Sequence, residues 1–279
     1  MIHYITPDPK DPAYQFLIGN PPEIIGATKT PKIMIIGLHG TEHLAARVAH
    51  HIQTKRPDLL SHVDYICGNP RAAASVPQER YTNEHGLHGE QGTDLNRSFT
   101  RKEAPKTYEE KRAIELTQRL QKYNFVLDLH TTTTTAGSSH RFLLTTHLNN
   151  SSVQNIIAAS PIERVVVFTP GNGVLNDAVL PSMACEFNQD YAVTPSAISD
   201  IIQTIDTLIG NTPATPRQRE LFYVSYPILK ENDPGIDTPN FELYKNDYYP
   251  ILVGNNSYRF DPTKKYVGYA ATKKEIILL

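Results

Sequence analysis

Short apolar segments alternate with helical patterns through residues 32–209, and this alternation constrains the fold more than any other feature of the sequence. Residues 42–55, 108–122 and 196–209 carry apolar side chains at helical spacing. The strand-like segments are 32–37, 63–67, 125–130, 141–146, 164–169 and 182–187. Strands that alternate with helices predict an α/β domain whose mostly parallel or mixed sheet carries helices on both faces.

The sequence changes character after residue 210. Residues 210–216 (GNTPATP) are typical of a linker, and strand-like runs dominate the rest of the chain. These runs are 221–228, 241–245, 248–254, 265–271 and 275–279. We therefore predict one domain over residues 1–210 and a small β-rich C-terminal domain over residues 211–279.

Composition excludes several classes of partner. The 279 residues carry a formal net charge of -2, so there is no basic excess to attract nucleic acid. The N-terminus lacks a signal-peptide pattern and no apolar run is long enough to span a membrane, so we expect a cytoplasmic protein without a membrane partner. Cys67 and Cys185 fit buried core positions better than a disulfide. The sequence leaves the oligomeric state open, with a homo-oligomer among the alternatives.

The strongest chemical signal is a histidine and a glutamate in the turn after the first strand. His39 and Glu42 are three residues apart, which puts both side chains on one side of a turn. A catalytic zinc ion usually takes three protein ligands, and His130, at the end of the strand 125–130, can supply the third. Asp128 is placed to support this set.

One other pair of histidines could bind a metal. His85 and His88 lie in a Gly-rich polar loop that has the composition of an exposed segment. The spacing of His39 and Glu42 is short enough to arise by chance among eleven histidines, so the motif needs the support of the neighbouring residues.

A carboxylate and three arginines supply that support. Glu186 comes after the apolar run 182–185, where a charge is costly unless it is used or paired, so it is our candidate general base. Arg71, Arg80 and Arg97 lie between the two proposed ligand segments, where a guanidinium could bind a substrate carboxylate or stabilise an oxyanion.

The ordered segments GLHGTEH, NPRA, ERY, DLNR, DLHTT and CEF resemble those of the aspartoacylase and succinylglutamate desuccinylase family, a branch of the zinc-carboxypeptidase-like hydrolases. The resemblance covers residues 30–190 and extends weakly through residues 250–258 (PILVGNNSY). It implies a carboxypeptidase-like mixed sheet with flanking helices, and a β-rich C-terminal domain that partly covers the site. It also implies one Zn²⁺ per chain and a small N-acyl amino acid as substrate.

Roles for individual residues come from the same resemblance. His39, Glu42 and His130 match the zinc ligands, Glu186 the general base, and Arg80 the arginine that polarises the scissile carbonyl. The positions that match substrate-binding residues are Asn96, Arg97, Tyr258 and, in a secondary role, Arg71.

Two departures from the family pattern bear on specificity. Residues 82–93 form a longer loop than family members usually have, and no arginine occurs between Gly171 and Cys185. Members that prefer aspartyl substrates carry an arginine in that segment, so its absence argues against acetylaspartate. A zinc metallopeptidase of the carboxypeptidase type and a non-catalytic homologue that binds zinc or ligand remain as alternatives.

Overall fold

A computed structural model describes residues 32–75, 94–100, 104–132, 141–171, 173–254, 258 and 264–278. The strands are β1 (Ile33–Gly37), β2 (Val63–Cys67), β3 (Phe125–Thr132), β4 (Arg141–Thr145), β5 (Arg164–Val167), β6 (Ser182–Asn188), β7 (Arg217–Leu229), β8 (Tyr249–Ile251) and β9 (Tyr266–Leu278). The α-helices are α1 (Leu44–Lys55), α2 (Pro70–Ala74), α3 (Tyr108–Leu120), α4 (Ser151–Ala159), α5 (Leu175–Ala178), α6 (Gln189–Ala192) and α7 (Pro195–Leu208). Short 3₁₀ turns span Pro57–Ser61, Leu95–Arg97 and Lys230–Asn232.

The nine described strands form one mixed sheet in the order β2-β1-β3-β6-β4-β5-β7-β9-β8. Strands β2, β1, β3 and β6 pair in parallel, and β4 runs antiparallel to β6. Strand β5 is parallel to β4 and β7, whereas β9 is antiparallel to β7 and β8. The predicted α/β architecture with a mixed sheet is confirmed.

Both faces of the sheet are covered by helices. In β1, Ile33 and Ile35 belong to a core shared with α1, α4 and α7, whereas Met34 and Ile36 belong to a core shared with α3. A strand that is buried on both sides must be apolar at successive positions, and this explains the continuous run in β1. Within the described residues, no helix is both long and apolar enough to cross a bilayer.

Two helices begin at residues whose side chains bond to the backbone. Thr107 accepts a hydrogen bond from the Glu110 amide, and the Glu110 carboxylate accepts one in return from the Thr107 amide. The Asn69 side chain accepts from the Ala72 amide at 3.1 Å, and Pro70 occupies the first turn of α2. The NPRA segment therefore has a structural function as a helix start.

The C-terminal strands extend the same sheet, because β7 pairs with β5. Two details of the sequence interpretation are wrong. Separate strands are expected from the sequence at residues 265–271 and 275–279, yet one strand, β9, runs from Tyr266 to Leu278. Residues 241–245 form no strand: Phe241 and Lys245 have positive φ angles, which interrupt extended backbone. The domain boundary at residue 210 stays a prediction.

Arg219 in β7 ties the C-terminal strands to the helical layer. Its side chain is fully buried and donates to the carbonyls of Ile157, Ser160 and Ile162, at and beyond the end of α4, at 2.8, 2.9 and 3.1 Å. A cation at a helix C-terminus meets the negative end of the helix dipole and satisfies carbonyls that lack helical partners. Burial lowers the pKa of Arg219 to about 10, so the group stays charged at neutral pH.

We expect Arg219→Met to destabilise the fold by about 2–4 kcal/mol, because it removes the side chain that donates to several buried carbonyls. Urea unfolding followed by circular dichroism measures the change. The matched control is Gln218→Met, at the exposed neighbouring position, with an expected change within about 0.5 kcal/mol. Equal stability of the two variants would show that the buried guanidinium contributes no net stability.

Candidate active site

The site lies where parallel strands end at one edge of the sheet. In the register of β3 and β6, His130 is the partner of Glu186 and Asp128 is the partner of Ala184. Strand β1 pairs with β3 up to Ile36 and Asp128, and the chain then turns to present His39. Since parallel strands bring their carboxyl ends to one edge, residues far apart in sequence meet there.

His39, Glu42 and His130 form one cluster of potential metal ligands. One ligand atom from each lies within 4.8 Å of the others, and all three side chains are buried. The structure therefore brings together all three residues that the sequence predicted as ligands.

Glu42 lies between the two imidazoles. Its Oε1 is 2.8 Å from Nδ1 of His39, and its Oε2 is 2.8 Å from Nδ1 of His130. The opposite nitrogens face other carboxylates: Nε2 of His39 is 3.0 Å from Asp94, and Nε2 of His130 is 2.7 Å from Asp128. Each ring is thus held at both nitrogens by a carboxylate oxygen.

This arrangement needs additional positive charge. A neutral imidazole has a single N–H, so it cannot donate to carboxylates on both sides. Burial alone would lower the pKa of His130, but the charges of Asp128, Glu42 and Glu186 outweigh it and raise the pKa well above its ordinary value. Either extra protons or a divalent cation must balance these carboxylates.

The donor set fits a divalent cation. If Asp94 and Asp128 accept the Nε2 protons, the Nδ1 lone pairs of His39 and His130 point toward Glu42, and an ion there replaces the missing protons. Two imidazoles and one carboxylate are a common ligand set for catalytic zinc.

Asp94 was not among the predicted site residues. Besides its contact with His39, its carboxylate accepts a hydrogen bond from the Asn96 amide at 2.8 Å and so caps the turn Leu95–Arg97. The only indication of this contact in the sequence is an aspartate two residues before Asn96, and such an aspartate cannot be distinguished from an ordinary turn residue.

We expect Asp94→Asn to lower the affinity for Zn²⁺ about 10- to 100-fold, because an amide orients the His39 ring less well and makes it a weaker ligand. Titration against a chelator measures the affinity. The control is Asp237→Asn, on an exposed carboxylate, which should bind zinc like the unaltered protein. Unchanged affinity in Asp94→Asn would mean that Asp94 does not support the ligand.

Asn96 and Arg97 connect the cluster to a pocket. Nδ2 of Asn96 lies 3.4 Å from Nε2 of His130, and its Oδ1 accepts from the Leu175 amide at 3.0 Å. Arg97 donates to the Asn96 carbonyl at 2.6 Å. Burial would lower the pKa of Arg97, but Tyr258 and Asp94 outweigh it and raise the pKa, so Arg97 is a permanent cation.

The backbone of Gly173 packs closely against this segment. Its φ angle is +67°, and a Cβ atom there would lie 2.8 Å from the Arg97 carbonyl oxygen and 2.6 Å from Oγ1 of Thr100. Only glycine fits such a close approach without displacement.

The pocket has a volume of about 100 Å³. Its described lining is Asn96, Arg97, Asp128, Leu144, Thr146, Phe168, Val174, Asn176, Ala184, Glu186, Leu252, Tyr258, Tyr266 and Tyr269. Four predicted site residues, namely Asn96, Arg97, Glu186 and Tyr258, therefore share one pocket beside the cluster of potential metal ligands.

Tyr266 and Tyr269 were missed by the sequence interpretation. They lie in β9, and their rings pack against each other and against Tyr258 with centroids 5.2–5.8 Å apart. Burial and the neighbouring Tyr258 raise the pKa of Tyr269, so its hydroxyl stays protonated. Nothing in sequence separates these two from the other tyrosines among the chain's fifteen.

Arg71, also predicted to bind substrate, lies outside this pocket. Arg71 is exposed, with its guanidinium 4.2 Å from the centre of the Tyr108 ring, and it is not part of the pocket lining. Arg80, the loop 82–93 and the rival pair His85 and His88 lie outside the described residues.

The fold and the site define an α/β protein with a candidate metal centre and an adjoining pocket at the carboxyl edge of its sheet. A sequence model described as the succinylglutamate desuccinylase/aspartoacylase catalytic domain matches residues 30–211, well over half of the chain. The chain belongs to this family of hydrolases. A search of curated proteins finds no significant match.

Solved structures support the fold. Murine aminoacylase 3 is 18% identical with a TM-score of 0.64, and the match covers 88% of this chain and 96% of that one. Succinylglutamate desuccinylase from Chromobacterium violaceum is 15% identical with a TM-score of 0.65, covering 88% and 86% of the two chains. The enzyme described under that name from Vibrio parahaemolyticus is 16% identical with a TM-score of 0.63, covering 93% and 88%. At these identities the likeness concerns the fold alone.

Proposed function

We propose that the protein is a zinc-dependent hydrolase that cleaves the amide bond of a small N-acyl amino acid, releasing a carboxylate and the free amino acid. One observation carries the proposal: His130 and Glu186 are partners on adjacent parallel strands, and the pocket beside them contains Arg97. A metal ligand, a carboxylate and a fixed cation are thus within one small volume.

His39, Glu42 and His130 would hold the zinc ion. When bound, zinc supplies a Lewis acid that polarises a carbonyl group and lowers the pKa of a water molecule toward about 7. Asp94 and Asp128 keep the two imidazoles in the orientation that binding requires.

Glu186 acts as general base and then as general acid in this proposal. Its side chain borders the pocket, so its carboxylate can take a proton from the attacking water and give it to the departing nitrogen. The sheet fixes this group because Glu186 pairs with His130 on one side and Phe142 on the other. A base held by two neighbouring strands keeps its position through the reaction.

Asn96 and Arg97 hold the substrate in place. A guanidinium can bind a carboxylate with two parallel hydrogen bonds, which fixes orientation as well as position. Tyr258, between β8 and β9, contacts the same substrate from the opposite end of the chain. Arg80 is proposed to polarise the scissile carbonyl, and Arg71 to contribute to substrate binding from outside the pocket. Both roles rest on the family resemblance.

We expect Glu186→Gln to lower kcat for N-acyl amino acid hydrolysis by about 10²–10⁴-fold, because the amide cannot carry the proton. Steady-state kinetics on the zinc-loaded protein measures the loss. Zinc content should stay the same, since Glu186 is not one of the proposed ligands.

The control for this substitution is Glu242→Gln, at an exposed position, which should leave kcat unchanged. Activity that survives in Glu186→Gln would refute the proposed mechanism. Dipeptides in the same assay separate a deacylase from a metallopeptidase, because a deacylase should prefer the acyl amino acids. Zinc binding without hydrolysis of either substrate type would favour a non-catalytic homologue.

A further inference from the structure

The charge distribution of the pocket is uneven, and this bears on the substrate class within the proposed function. Among the described residues that line the pocket, Arg97 is the single cation, whereas Asp128 and Glu186 are both carboxylates. Asp128 is buried and engaged with His130. One substrate carboxylate therefore finds a partner at Arg97, and a second would approach like charges.

Two neutral polar residues of the pocket, Asn176 and Thr146, use their side chains in hydrogen bonds within the protein. The side chain of Asn176 is buried, donates to the Leu144 carbonyl at 3.0 Å and accepts from Ser182 at 3.0 Å. The Thr146 hydroxyl donates to the Asn176 carbonyl at 3.3 Å. Asn176 and Thr146 thus maintain the pocket wall and are poorly placed to receive an anionic side chain.

The rest of the wall is apolar or aromatic. Phe168 and Tyr269 meet edge to face with ring centres 4.8 Å apart, and the tyrosines at 258 and 266 pack beside Tyr269. Aliphatic side chains complete it: Leu144, Val174, Ala184 and Leu252. Such a surface gains from contact with apolar groups, and its described residues offer a charge only neutral donors, such as the tyrosine hydroxyls, in place of water.

We infer that the substrate is an N-acyl amino acid with one carboxylate and an uncharged, apolar side chain. With its α-carboxylate on Arg97, the amino acid places the side chain on the same Cα into the neutral part of the pocket. An acidic side chain would lose its hydration there, would meet no second cation among the described lining residues, and would face Glu186. This inference rests on the proposed function and specifies its substrate class.

The first test is a panel of N-acetyl-leucine, N-acetylphenylalanine, N-acetylaspartate and N-acetylglutamate with the zinc-loaded protein. The expected kcat/KM for the two apolar substrates exceeds that for the two acidic ones by at least about tenfold, the scale on which a pocket discriminates by a few contacts. Equal or greater activity on the acidic pair overturns the inference and leaves the proposed function intact.

A binding measurement decides the same question without turnover. The Glu186→Gln protein loses one lining carboxylate but keeps Arg97 and the apolar wall, so the preference should persist in it. The chain has no tryptophan and three of its fifteen tyrosines line the pocket, so a change in tyrosine fluorescence can follow binding. N-acetyl-leucine is expected to bind at least about tenfold more tightly than N-acetylaspartate. If no acyl amino acid is hydrolysed, the proposed function fails, but this titration still shows which class of ligand the pocket prefers. Tighter binding of N-acetylaspartate, or no binding of N-acetyl-leucine, overturns the inference.

A matched pair of variants tests whether the neutral wall causes the preference for apolar substrates. Leu144→Arg introduces a cation into the neutral wall, whereas Leu144→Met keeps it apolar at similar volume. Relative to the unaltered protein, Leu144→Arg should shift the ratio of N-acetylaspartate to N-acetyl-leucine binding by at least about tenfold toward the acidic ligand. Leu144→Met should keep the preference for N-acetyl-leucine. An unchanged ratio in a folded Leu144→Arg protein, checked by circular dichroism, contradicts the inference.

Discussion

The parallel pairing of β3 with β6 is the constraint on which the site depends. Its register sets His130 beside Glu186 and Asp128 beside Ala184, so a proposed metal ligand, the carboxylate that contacts it and the proposed base share one face of the sheet. Side chains alternate between the faces of a strand, so a slip of one residue would turn all of them toward the opposite core. The apolar residues Leu127 and Leu129, which alternate with them, oppose such a slip by packing against the helices on that other face.

Asp94 joins the two ends of the site. One carboxylate oxygen lies at hydrogen-bond distance from both the His39 ring and the Asn96 amide, so a single group orients a proposed metal ligand and caps the turn that carries Asn96 and Arg97. A displacement of that turn would therefore affect His39 as well as Arg97, the proposed partner of the substrate carboxylate. Residues that share a hydrogen-bond network are coupled energetically, so changes at the two ends should not be additive.

Sequence was informative where chemistry depends on local spacing. His39 and Glu42 are linked by a turn, and His130 and Glu186 each come after an apolar run, so it could be predicted that these residues meet at one site. Tyr266 and Tyr269 could not be found in this way, because their positions depend on how β9 pairs with β7 and β8. Residues 241–245 show alternation typical of a strand, yet Phe241 adopts a positive φ and packs against Phe142 and Phe222. Tertiary contact here overrides local propensity.

The proposed metal ligands and the pocket wall come from different parts of the chain. The turn after β1 and the strand β3 supply His39, Glu42 and His130. Tyr266 and Tyr269 of the wall come from β9, and Leu252 and Tyr258 come from the segment between β8 and β9. Leu252 has a φ of 59°, a conformation that is costly for a leucine. The next residue, Val253, is held by the buried Asn240 side chain, which accepts a hydrogen bond from its N–H at 2.8 Å and donates one to its carbonyl at 3.0 Å. Gly268 lets β9 approach this segment, since a Cβ there would lie 2.6 Å from the Val253 side chain. Substitutions in this segment can thus reshape the pocket wall while leaving His39, Glu42 and His130 in place.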